Sequence, residues 1–140
     1  MSGLRFAPAR RQLDKVSQQE GQSLAELALL LPLLLLVMAG ALDLGRAFHA
    51  HTTVVNAARE GARYGIFQPA DSSGIRDQVE QEAEGSSIDL SQSTVVIEMD
   101  EISPGSPIKV TVIYQFQPIT GLIFGGQSIP IRGSVSMIQF

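Results

Sequence analysis

The chain has 140 residues, a formal net charge of −4, and 44% hydrophobic against 17% charged residues. The charged share falls below the roughly 25% usual for soluble domains, and the apolar residues crowd into one block, leaving room for one membrane anchor and one small domain rather than two globular domains. The lack of cysteine excludes a disulfide framework and a thiolate metal site, and the basic residues form no patch interleaved with aromatics, which argues against nucleic-acid binding.

The first stretch, residues 1–21, is polar and without sustained periodicity, and reads as a flexible basic leader. Arg5, Arg10, Arg11 and Lys15 outweigh Asp14 and Glu20 there. Positive charge beside an anchor stays cytoplasmic, whereas Asp43 and Arg46 on the far side cancel. The expected orientation is therefore N-terminus inside and C-terminal lobe outside. From Leu24 to Leu44 a helix would rise about 30 Å at 1.5 Å per residue, enough to cross the hydrocarbon core. Glu26 and Asp43 are its only charges, one near each end. Pro32 removes one backbone donor and should bend the helix gently, as membrane helices tolerate.

The helical pattern continues past the apolar run to Gly65. Ala47, Ala50, Val54, Ala57, Gly61 and Tyr64 follow the 3-4-3-4-3 spacing of a helix seam. Gly61 and Gly65 form a GxxxG pair, and small residues of this kind let backbones approach closely. Arg46, Arg59, Glu60 and Arg63 fall mainly off the seam. The seam packs either on the chain's own lobe or against neighbouring subunits, and different faces could serve both.

Residues 66–140 read as a small α+β lobe. Gly65 through Gly74 carries turn residues. Ile75 to Glu84 then forms a short amphipathic helix ended by Gly85, its acids a solvated face without the loop spacing of a calcium site. Three strand-like runs follow, at Thr94–Asp100, Ile108–Gln117 and Ser128–Phe140, with alternating apolar positions. Ser103-Pro104-Gly105-Ser106 predicts an antiparallel hairpin between the first two. The apolar connection Pro118–Gln127 should cover a sheet edge, or else touch a partner or the membrane surface. A core this small supplies only about 3–5 kcal/mol, so the lobe should lean on residues 46–65. The fold class is thus α+β: a long N-terminal transmembrane and packing helix over 22–65, a short helix, and an antiparallel sheet of about three strands.

Chemistry-bearing motifs are few. His49 and His51 lie two apart, about 200° around a helix, and cannot share one ion. There is no nucleophile–base arrangement and no phosphate-cradling loop, so neither catalysis, a metal nor a cofactor is expected. The informative motif is Gly21-Gln22-Ser23-Leu24-Ala25-Glu26, where the polar leader meets the apolar run. A glycine followed five residues later by a glutamate just inside a hydrophobic helix resembles the cleavage site of type IV prepilins. On that resemblance a prepilin peptidase cuts after Gly21, leaving Gln22 as the new N-terminus. A carboxylate in an apolar run costs about 2.5–3.5 kcal/mol at a helix centre and less near an end. The resemblance implies that a free N-terminal ammonium offsets that cost in pilin assemblies.

The chain is further similar to the TadE-like family of the tight adherence (Flp pilus) machinery. The matching features are Glu26-Leu27-Ala28-Leu29 through Pro32, the exit Asp43-Leu44-Gly45-Arg46, and Ala57-Ala58-Arg59-Glu60-Gly61-Ala62-Arg63. Leu27 stands where an aromatic often follows the glutamate. The resemblance implies a pseudopilin-like or minor-pilin-like, non-catalytic component of pilus biogenesis, held in the cytoplasmic membrane of a bacterium or archaeon. Its implied partners are the bilayer, a prepilin peptidase, the pilus assembly platform and other pilin-like subunits. Two rival routes remain. An uncleaved single-pass anchor would begin at Met1 or Ser2, and signal-peptidase cleavage after Ala39-Gly40-Ala41 would release a soluble binding module from Leu42.

Overall fold

The computed structural model describes residues 10–121 and 125–140, with side chains from 21 onward. The start of the leader and residues 122–124 of the apolar connection lie outside the described residues. The chain is α+β, in the order α1 (Arg10–Gly65), α2 (Ser72–Glu82), β1 (Thr94–Met99), β2 (Pro107–Phe116) and β3 (Ile129–Ile138). Helix α1 begins at Arg10, inside the stretch read as leader. Arg, Gln, Leu, Lys and Glu dominate that stretch, and all are good helix formers.

The chain divides into two compact units, residues 1–39 and 40–140. In the first, α1 presents an unbroken apolar surface: Leu24, Leu27, Leu29 to Leu31 and Leu33 to Leu35 are each at least half exposed. In the second, residues 40–65 of α1 build a core together with α2 and the sheet.

The sheet is antiparallel in the order β1-β2-β3. Its register pairs Ile97 with Val110 and Glu98 with Lys109 on one side, and Val110 with Val135 and Thr111 with Ser134 on the other. Alternation along β2 sends Ile108, Val110, Val112 and Phe116 inward, each at most 3% exposed. Ile131, Val135 and Met137 of β3 pack on the same core, while Ile129, of the same parity, lies exposed at the strand's end. On the outer face Lys109 donates to Glu98 at 2.7 Å, an exposed cross-strand pair of modest value. Burying each large core side chain, such as Ile75, Ile108 or Val54, contributes about 1.5–3 kcal/mol.

Two glycines set how closely the layers approach. A Cβ on Gly133, midway along β3, would lie 2.8 Å from the Val55 nitrogen and 2.9 Å from the Val54 carbonyl, so the strand touches the helix backbone itself. A Cβ on Gly61 would meet Val79 of α2 at 2.8 Å, with Ile75 and Val110 at 3.4 Å.

Helix α2 starts at Ser72, earlier than the turn-rich sequence suggests, because Asp71 caps it. The turn before β2 is stitched to the end of β3: Gly105 donates to the Gln139 carbonyl at 3.0 Å, and the buried Gln139 amide donates to the Glu101 carbonyl at 3.0 Å.

Candidate functional site

No group of three or more His, Cys, Asp or Glu residues able to hold a metal occurs among the described residues. His49 and His51 are both exposed on α1. The residues that the sequence singles out lie along α1, in three groups.

The first is Gly21 to Glu26. All six residues are exposed, and among the described residues no side chain and no backbone beyond the adjacent turn of the helix lies within 4 Å of where a Gly21 Cβ would stand. The Gln22 side-chain amide donates to Glu26 Oε1 at 3.2 Å, one helical turn away. Both residues at the Gly21–Gln22 bond and the carboxylate thus share an uncovered surface.

The second is the exit from the apolar run. Leu42 and Leu44 are exposed, whereas Asp43 between them is only 7% exposed. Its carboxylate accepts hydrogen bonds from the backbone N–H of Ile119 at 2.8 Å and of Thr120 at 2.8 Å, and from the Thr120 hydroxyl at 2.7 Å. Arg46 completes the set at 3.2 Å, its guanidinium lying over the Phe116 ring at 5.3 Å. The loop after β2 is therefore pinned to α1 through one side chain. A sequence reading that lets Asp43 and Arg46 cancel finds the ion pair but misses the loop, because the partners are 76 and 77 residues away.

The third is the small-residue seam. Ala50, Val54, Ala57, Gly61 and Gly65 are buried, and Ala47 and Tyr64 are partly buried against the same core. Ala58 and Ala62 are also fully buried. Arg59 and Arg63 point outward, where Arg63 donates to Glu60 at 2.6 Å and Arg59 to Asn56 at 3.0 Å. The stretch Ala57 to Arg63 therefore alternates between small residues that admit α2 and the sheet and charged residues facing solvent. Pro32 sits within α1 and is exposed.

These three groups coincide with a family segment. The model of the TadE-like protein family matches residues 21–63. Helix α1 is TadE-like over that segment. The TadE-like segment begins at Gly21 itself, contains Glu26, Pro32, Asp43 and Arg46, and ends with Arg63. It points to Tad/Flp pilus assembly. No curated protein and no solved structure matches the chain. The part of α1 from Gly21 to Gly65 is also long and apolar enough to cross a membrane, with 6% of its most apolar window buried.

The junction between α1 and α2 lies outside that segment. Asp71 accepts from the Gly74 N–H at 2.9 Å, the Ser73 hydroxyl at 2.7 Å and the Tyr64 hydroxyl at 2.7 Å. The Gly74 N–H, followed by the two hydroxyls, holds the Asp71 carboxyl down to about 2. The hydrogen bond to Asp71, followed by burial and the carboxylate's charge, in turn raises Tyr64 above the usual phenol range.

Proposed function

We propose that this chain is a membrane-anchored, pseudopilin-like or minor-pilin-like component of tight adherence (Flp-type) pilus assembly, matured by a prepilin peptidase between Gly21 and Gln22. The observation that carries this reading is the TadE-like match, which opens on the residue of the proposed cut and runs through the apolar helix. The exposure of the apolar residues of α1 supports a lipid environment, since soluble proteins rarely leave so large an apolar surface uncovered. The chain acts as substrate and subunit, not as catalyst. Its partners are the bilayer, the peptidase, the assembly platform and other pilin-like subunits. The basic leader stays in the cytoplasm of the bacterial or archaeal cell, and the lobe stands outside.

Intact-mass and N-terminal analysis of the protein purified from membranes tests the processing route. A chain beginning at Gln22 is the expected result, and Gly21→Leu should block its formation. A chain beginning at Met1 or Ser2 would make it an uncleaved anchor. A soluble chain beginning at Leu42 would make it an exported module.

A further inference from the structure

Resting on the anchor reading, we infer that residues 117–121, directly after β2, are a second membrane contact, with Ile119 seated in the headgroup and upper acyl layer of the bilayer that holds the apolar run of α1. The argument starts at Asp43. If Leu24 to Leu44 crosses the hydrocarbon core, Asp43 lies within one helical turn of its boundary. A carboxylate at that depth has little water to accept and needs protein donors instead. Ile119 and Thr120 supply them, by hydrogen bonds of 2.7 to 2.8 Å. Those bonds fix the Ile119 backbone one side-chain length from α1 at that level. The interfacial layer on each side of a bilayer is roughly 5–8 Å deep, and a segment held at the level of Asp43 falls within it on this reading.

Surface chemistry at the junction agrees with that position. Ile119 is 45% exposed, and Leu42 and Leu44, which flank Asp43, are 56% and 75% exposed, so exposed apolar side chains stand on both the loop and the helix at this junction. Arg46, Gln117 and Gln127 line the hollow of about 240 Å³ beside it with the polar groups that suit a headgroup region. Strand β2 then leads away: Ile108 sits at Gly65, at the other end of the lobe. Arg46 to Gly65 rises about 28 Å along the helix and Ile108 to Phe116 about 26 Å along the strand, so the Asp43 junction and the Gly65 end are the two far ends of the lobe.

The absence of cysteine makes single-site labelling clean. Ile119→Cys, Leu34→Cys and Ile102→Cys, each carrying a nitroxide in the full chain, are reconstituted in phosphatidylcholine–phosphatidylglycerol vesicles. Collision rates are then read with oxygen, which concentrates in lipid, and with a water-soluble nickel chelate. Oxygen should dominate strongly at 34 and the nickel chelate at 102, in the turn before β2. Position 119 should show the chelate rate reduced several-fold from that at 102, with oxygen access retained. If 34 reports lipid but 119 matches 102, the loop contact is wrong and the anchor stands. Protection of 119 from both agents would mean that a protein surface, such as a second copy, covers it, which overturns the lipid assignment. A chelate-accessible 34 would overturn the anchor and the loop contact together.

Discussion

Asp71 shows how a single side chain organises a junction that the local sequence presents as a plain turn. Its backbone carbonyl accepts from Ile75 at 3.1 Å, while its carboxylate gathers Ser73, Gly74 and Tyr64, so the last turn of α1 is tied to the first of α2. The Asp71 carboxyl sits at about 2 against an ordinary 3.8. A depressed folded value means that the charged form stabilises the fold: the contribution is complete above about pH 4 and is lost as the pH falls toward 2. Asp71→Asn keeps an acceptor but cannot titrate. In detergent micelles the variant should melt several degrees below the parent at pH 6, and the gap should close as the pH is lowered to 2. Circular dichroism melts across that range decide the matter. A gap independent of pH would show that the Asp71 charge does not contribute.

At the scale of elements, the contact between α1 and the sheet depends on Gly133 having no side chain. The atoms that its Cβ would meet belong to the backbone of Val54 and Val55, which cannot rotate aside as a side chain would. Gly133→Ala should therefore force the strand off the helix and destabilise the lobe by about 1–3 kcal/mol, the usual cost of overpacking. Gly45→Ala on the same helix meets nothing within 4 Å. It should leave the lobe unchanged or stabilise it by about 0.5–1 kcal/mol through better helix propensity. Urea unfolding of both variants in micelles, followed at equal lipid-to-protein ratio, separates the two; equal effects would contradict the close approach. These elements differ in how far the sequence reveals them. Strand β2 is legible because Ile108, Val110, Val112 and Phe116 repeat with period two, and α1 because its apolar and small residues run so far. The start of α2 is not, because Asp71-Ser72-Ser73-Gly74 suits a turn as well as a cap. A lone glycine inside a strand pattern was the available hint for Gly133, since it often marks close backbone approach.

For the whole molecule, the change along α1 from the Gly21–Glu26 motif through an apolar run to a small-residue seam is legible in the sequence, since each part has its own composition. The Asp43 junction was not, because a carboxylate and two amides 76 and 77 residues apart leave no periodic trace. That asymmetry gives Glu26 its interest. Asp43 finds its donors within the chain, whereas Glu26 receives the Gln22 amide at 3.2 Å on an otherwise uncovered helix surface. A carboxylate so placed in an apolar environment gains from a cationic partner, and the pilin-like reading supplies one as the ammonium of a matured Gln22 in a neighbouring subunit. Glu26→Ala removes the cost of that charge along with the partner, so insertion in the membrane should be as good as in the parent or better. Assembly should fall, because the neighbouring ammonium loses its counter-ion. Glu26→Gln should fall between the two, keeping a polar acceptor without the charge. Carbonate extraction reports insertion, and cross-linking in intact membranes reports association with other pilin-like subunits. Association of the Glu26→Ala protein at the parental level would rule out the ammonium pairing while leaving the anchor in place.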